Sequence, residues 1–286
     1  MMNRKLARRA ACAILSLFMV LSLTGCGGPS TSATSDESAQ ISGSGALDTG
    51  SQTSGSGSGA DPEAKTPKEI MDEMLVKTLA IYEKNDDTVG WLYIENTSID
   101  ESVVQAPDND FYLRRNNLKQ SSFNGCYYLD FRAKTGKRTD LSKNTVIYGH
   151  SMDDNPDGGR FSQLKKYLDL DYCKEHQFIY YTTPEGADMV WQIFAVFYTD
   201  ISFNYINPNP DNTEYLNIIT QARSRSQFNF DVDVGVSDHI LTLSTCTYTN
   251  TTNRSNYRYV VMAKLLPAGD TGTLASVAAN PTPYSA

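Results

Sequence analysis

Several things are scarce in this chain, and each scarcity excludes something. Aromatic residues are missing from its first quarter: apart from Phe18, every Phe, Trp and Tyr lies at Tyr82 or later. Between positions 27 and 60, 18 of 34 residues are Gly or Ser. Such a segment has nothing with which to build a core. What can fold is therefore the part after it, large enough for one well-buried core and too small for a two-domain enzyme. Positive charge is also short: 25 Lys and Arg face 33 Asp and Glu, a net charge of −8. That balance argues against binding a phosphate backbone, which needs clustered basic residues, so no nucleic-acid partner is expected. No metal-ligand Cys/His spacing and no phosphate-cradling glycine loop occur, so neither a metal nor another cofactor is expected. Asp153-Asp154-Asn155-Pro156-Asp157-Gly158 begins like a calcium loop. Its twelfth position is Leu164 rather than the Glu that would close the site, so it reads as an acidic turn.

A long apolar run is missing too. The longest, Ala10 to Leu23, has 14 residues, short of the roughly 20 that span a bilayer. It follows a basic start (Arg4, Lys5, Arg8, Arg9) and ends in Leu23-Thr24-Gly25-Cys26. This is the build of an export signal, and its end resembles the lipobox of bacterial lipoproteins. Residues 1–25 are thus expected to be a lipoprotein signal peptide, with Cys26 the lipidated residue. The other reading is an uncleaved membrane anchor with an incidental cysteine. Residues 26–62 would form a flexible Gly/Ser-rich tether, reaching roughly 30–35 Å on average. The folded part would then sit on the extracellular face of the membrane, held there by the lipid.

Five cysteines are present: Cys12, Cys26, Cys126, Cys173 and Cys246. With Cys12 lost in the signal and Cys26 acylated, three remain, an odd number in an oxidising compartment. An unpaired exported cysteine is either buried or a working nucleophile. Cys126 and Cys173 read as small buried hydrophobes. Cys246 ends an apolar run, Ile240 to Thr245, just before a polar loop, where it is exposed enough to react.

From Thr66 the chain reads as structured. Thr66-Pro67-Lys68-Glu69 is a helix start, with a capping box and Pro at the first helical position. Strand-like runs follow at Trp91–Ile94, Ser102–Gln105, Cys126–Asp130, Thr145–Tyr148, Phe178–Thr182, Met189–Thr199, Ile240–Thr245 and Tyr257–Leu265, bounded by Asn, Asp, Gly and Pro. Helices are expected at Phe161–Leu168 and Thr213–Arg223. Eight strands with few helices point to a mainly β protein with peripheral helices, a mostly antiparallel sheet or closed barrel. The small, polar segment 267–286 reads as a disordered tail.

The three histidines divide by position. His176 sits in a polar turn. His239 begins the strand that ends at Cys246, and seven residues at about 3.3 Å each place it some 23 Å away. His150 closes the run Thr145-Val146-Ile147-Tyr148-Gly149 at a strand end and is the strong partner for Cys246. A hairpin between the Cys246 strand and the strand opening at Arg258 would bring those two side by side. Cysteine, histidine and arginine together suggest acyl transfer through a thioester. The same three residue types on strands also occur in proteins that catalyse nothing.

At this point the sequence resembles the class B sortases. The run Thr145 to Met152 is similar to that family's histidine motif, Leu241-Thr242-Leu243-Ser244-Thr245-Cys246 to its cysteine signature, and Arg258-Tyr259-Val260-Val261 to its arginine strand. Upstream, Gly90 to Ile94, Ile99-Asp100, Val103 to Gln105 and Asp108 to Leu113 match in order. The resemblance implies an eight-stranded barrel over residues 63–266, with an N-terminal helix and a helix in the loop before the cysteine strand. It implies a cysteine transpeptidase that cleaves an Asn-Pro-x-Thr-type sorting signal on surface proteins of a Gram-positive cell. The acyl group would pass to an amine of peptidoglycan or of a pilin. Cys246 would be the nucleophile, His150 the general acid and base, and Arg258 the group that holds substrate and oxyanion. Ser244 and Thr247 would line the substrate groove. The loop after Cys246 is longer than usual for the family, which makes Arg254 a rival to Arg258. A lipid anchor also departs from the family's usual membrane-spanning one. The alternative function is a lipoprotein binding module that uses the same barrel without turnover.

Overall fold

The computed structural model describes residues 65–186, 188–249 and 256–285. The signal segment, Cys26, the tether and Arg254 lie outside the described residues. Helix α1 (Pro67–Tyr82) begins as its sequence dictates. The Thr66 N–H donates to the Glu69 carboxylate at 2.8 Å and the Glu69 N–H donates to the Thr66 hydroxyl at 3.3 Å. Its buried face, Ile70, Met71 and Met74, packs on Trp91, Tyr180, Val190 and Leu266.

Ten strands follow among the described residues: β1 (Thr88–Tyr93), β2 (Asp100–Val104), β3 (Tyr127–Leu129), β4 (Asn144–Tyr148), β5 (Phe178–Thr182), β6 (Val190–Asp200), β7 (Phe228–Phe230), β8 (Ile240–Cys246), β9 (Tyr257–Leu265) and β10 (Val277–Ala279). Eight of them close into a barrel in the order β1-β2-β3-β4-β8-β9-β6-β5. All eight coincide with the strand-like runs of the sequence. The pairing is not uniformly antiparallel, because β2 runs parallel to β3 and β4 parallel to β8. Parallel neighbours need a long crossover. Between β4 and β8 it contains β5, β6 and β7, the short helix α2 (Leu170–Glu175) and helix α3 (Asn212–Arg225).

The core fills the barrel with residues such as Tyr181, Trp191, Phe197, Leu243 and Val261, all fully buried. Helix α3 covers β6 through Tyr215, Ile218, Ile219 and Ala222, the i, i+3, i+4, i+7 stripe of an amphipathic helix. It is the helix expected before the cysteine strand, and the Asp211 side chain caps it by accepting from the Glu214 N–H at 2.9 Å. Phe161–Leu168 is helical but of the tighter 3-10 type.

The C-terminal segment corrects an expectation. Residues 267–286 read as disordered from composition, yet β10 pairs antiparallel with β7. The Gln177 amide exchanges two 2.8 Å hydrogen bonds with the Ala275 backbone, and Gln192 donates to the Thr273 carbonyl. Tyr284 donates to Asp200 at 2.8 Å. Order there comes from polar side chains that satisfy the tail's backbone, together with Val277, which is buried in the main core.

Gly149, between Tyr148 and His150, sits against the stacked rings of Tyr127 and Phe161. A Cβ there would lie 2.7 Å from Phe161 and 2.8 Å from Tyr127. Gly149→Ala is therefore expected to cost about 1–3 kcal/mol in chemical denaturation, the usual cost of overpacking. An unchanged midpoint would show that the ring pair yields freely.

Candidate active site

The site is built by strand register. On the β4–β8 ladder Tyr148 lies opposite Ser244. Just past it, the Gly149 N–H donates to the Ser244 carbonyl at 3.3 Å and the Thr245 hydroxyl donates to the Gly149 carbonyl at 2.7 Å. Because the strands are parallel, both leave the barrel at the same end, and His150 follows β4 where Cys246 finishes β8. Antiparallel β9 enters at that end, with Arg258 directly opposite Cys246. The hairpin expected from sequence is thus present. Adjacent strands lie about 4.8 Å apart, so three residues separated by up to 108 positions converge on one rim.

That rim opens into a cleft of about 320 Å³ lined by His150, Cys246, Arg258 and Ser244 among others. The His150 Nε2 lies 2.7 Å from the Leu113 carbonyl oxygen. A carbonyl only accepts, so Nε2 carries the proton and Nδ1 is the nitrogen that can take up or release one. Cys246 is partly exposed, while Cys126 and Cys173 are buried. Burial pushes both of those thiols up to about 12, which leaves them protonated and inert.

Tyrosines shape the cleft wall. Tyr205 is buried, which pushes its hydroxyl up to about 12, and it shares a 2.8 Å hydrogen bond with Ser244. Burial raises Tyr148 as well, and its hydroxyl donates to Asp130 at 2.9 Å. Burial would also raise Asp130, but hydrogen bonds from Arg132 outweigh it and hold the carboxyl below its ordinary value. Both phenols therefore serve as neutral hydrogen-bonding walls at physiological pH.

Ser244 lines the cleft. Thr247 does not: it is fully buried and its hydroxyl donates to Asp154 at 3.0 Å. The strand has ended by then, and the chain turns that side chain inward. His239 is remote, with Nδ1 3.0 Å from the Ser142 carbonyl, and His176 packs on Tyr172. The acidic turn at Asp153–Gly158 engages a lysine: Asp154 pairs with Lys165 at 2.9 Å. Tyr205, Leu113 and Lys165 were not foreseen. Nothing local in sequence marks them, since each reaches the site from another element.

Residues 92–266 match the sortase domain family. The chain belongs to the sortase family. Its curated relatives place this sortase in class B. It is 36% identical over 163 residues to sortase B of Listeria monocytogenes, covering 57% of this chain and 63% of that protein. To sortase B of Staphylococcus aureus it is 32% identical over 185 residues, covering 64% of this chain and 71% of that one. Among solved structures, a Staphylococcus aureus sortase B–substrate complex superposes with a TM-score of 0.59 at 27% identity, covering 70% of this chain and 92% of that one. Clostridium perfringens sortase B gives 0.58 at 30% identity, covering 66% and 99%. A Bacillus anthracis protein similar to sortase B gives 0.56 at 33%, covering 66% and 81%.

Peptide mapping after brief treatment with iodoacetamide at neutral pH should find Cys246 alkylated and Cys126 and Cys173 untouched. Equal labelling of the three would contradict the assigned difference in exposure.

Proposed function

We propose that this sortase is a cysteine transpeptidase acting on an Asn-Pro-x-Thr-type sorting signal. The observation that carries the reading is the convergence of Cys246, His150 and Arg258 on one cleft, each fixed by strand pairing. The Cys246 thiol gives its proton to His150 as the sulfur attacks the Thr carbonyl carbon, and the carbon–nitrogen bond breaks as His150 passes that proton to the departing amine. The Arg258 guanidinium faces the negative charge that gathers on the carbonyl oxygen. The thioester is then attacked by an amine of peptidoglycan or of a pilin, which gives up its proton to His150, and the carbon–sulfur bond breaks as His150 returns that proton to the departing sulfur. Ser244, held by Tyr205, belongs to the substrate wall of this cleft. Assigning the oxyanion role to Arg258 rather than Arg254 rests on its place opposite Cys246.

The N-terminal reading extends the proposal. The basic, apolar and Leu23-Thr24-Gly25-Cys26 sequence supports a lipid on Cys26, with residues 26–62 tethering the enzyme outside the membrane. Surface proteins bearing a C-terminal sorting signal would meet it there, facing the cell wall.

With an Asn-Pro-x-Thr peptide library and triglycine or a lysyl peptide as acceptor, wild type should form a transpeptidation product. Cys246→Ala should abolish it, and His150→Ala and Arg258→Ala should each lower kcat/KM by about 10²-fold or more. Product formation by Cys246→Ala at the wild-type level would overturn the proposal, while binding without turnover by wild type would favour the binding module. In cells, labelled palmitate should enter the full chain and be lost in Cys26→Ala; equal labelling of both would refute lipidation at that residue.

A further inference from the structure

Lys165 is a deeply buried charged side chain beside the cleft, with only 1% of its side chain exposed. It lies in the 3-10 segment Phe161–Leu168, outside the catalytic strands. Its ammonium donates to the Ser151 hydroxyl at 2.9 Å and pairs with the Asp154 carboxylate at 2.9 Å. Burying a lysine without partners is costly, so these bonds are what keep it there. Burial holds its pKa below the ordinary lysine value, against the opposing pull of Asp154.

The partners of that pair lie on the two segments that follow the catalytic residues. Ser151 is next to His150, and Asp154 is four positions on. From the other side, the Thr247 hydroxyl donates to the Asp154 carboxylate at 3.0 Å and the Tyr248 N–H donates to it at 2.7 Å. The Tyr248 hydroxyl then reaches back to the Ser151 carbonyl at 3.0 Å. Thr247 and Tyr248 are the first two residues after Cys246. Strand pairing has ended on both chains at this level, so the network takes over from the ladder. The 3-10 segment is itself tied in: the Phe161 N–H donates to the His150 carbonyl at 3.0 Å and the Met152 N–H donates to the Ser162 hydroxyl at 2.8 Å.

We propose that Lys165 and Asp154 are positioning residues, a buried ionic clamp that joins the segment after His150 to the segment after Cys246 and so fixes the separation of nucleophile and proton donor. The inference rests on the transpeptidase reading for its kinetics, but not for its chemistry on the thiol. Misplacing reacting groups by about 1 Å can cost on the order of 10²-fold in rate. The loss belongs in kcat, because neither residue lines the cleft that binds substrate.

The ammonium also acts on the thiol by charge, since Lys165 and Cys246 interact electrostatically. Other ionisable groups facing Cys246 are His150, Asp110 and Arg258 in the cleft and the phenols of Tyr128, Tyr205 and Tyr248. Those facing Lys165 are Asp153, Asp154 and the ring of Tyr259.

The test compares full-length wild type with Lys165→Met, Asp154→Asn and the double variant Lys165→Met/Asp154→Leu. Replacing both charges of a buried pair with apolar groups is often tolerated by a fold, so the double variant separates positioning from folding. Thermal melting, steady-state kinetics on the sorting peptide and the rate of Cys246 alkylation are measured on each. Lys165→Met is expected to lower kcat about tenfold or more with KM within about twofold, and to slow Cys246 alkylation. The double variant should melt near wild type and remain slow. Wild-type kcat in Lys165→Met, or full recovery in the double variant, overturns the clamp. A wild type inert toward every peptide instead overturns the transpeptidase reading, and the clamp then stands or falls on whether Cys246 alkylation slows in Lys165→Met.

Discussion

The β4–β8 pairing is the constraint on which the site depends, because it sets a histidine and a cysteine 96 positions apart at one level of the barrel. Its register is held by polar groups that the fold has buried. At the far end of the ladder the Thr242 hydroxyl donates to the Asn144 side-chain carbonyl at 2.7 Å, and the Asn144 amide donates to the Tyr205 carbonyl at 2.8 Å. Both residues are fully buried. A slip of one residue would turn each strand's side chains to the opposite face and strand these groups without partners. Hydrophobic burial of Val146, Ile147, Leu241 and Leu243 drives the strands together; Asn144 and Thr242 decide where along each other they stop.

Arg258 depends on the same arrangement at one remove. It faces Cys246 because β9 returns antiparallel to β8 with nine residues of its own locked on β6. A rigid scaffold thus places His150, Cys246 and Arg258 at the ends of strands, where backbone pairing is strong behind them and solvent is reachable ahead. Beyond the strand ends, precision must come from side chains, and there the buried Lys165–Asp154 network spans the gap. Tyr128, Tyr148 and Tyr205 contribute neutral phenols to the cleft wall, and Asp110 and Arg258 are its charged lining residues.

The sequence was legible where local pattern and structure coincide. Eight β-rich runs became the eight barrel strands, Thr66 to Glu69 capped the first helix, and the stripe from Tyr215 to Ala222 made the helix before the cysteine strand. His150 could be separated from His239 because strand length fixes distance along a strand, and from His176 because that residue sits in a polar turn. What stayed hidden was non-local. Alternating apolar residues do not say whether two strands run parallel, so the pairing that joins His150 to Cys246 was not visible in either segment. Thr247 was misread because its role follows from Asp154, 93 positions away. The tail was misread because Gln177 and Gln192 supply its order. Lys165, flanked by Lys166 in an ordinary-looking polar run, shows its burial only when the 3-10 segment is laid against the barrel.

The central claim is that Cys246 carries the acyl group. Intact-mass spectrometry of the wild-type enzyme mixed with an Asn-Pro-x-Thr peptide, without an acceptor amine and followed by peptide mapping, tests it most directly. The account predicts an adduct equal in mass to the peptide up to and including its Thr, mapped to Cys246 and released by added amine. Cleavage of the peptide with no adduct on Cys246, or an adduct mapped to another residue, would contradict it.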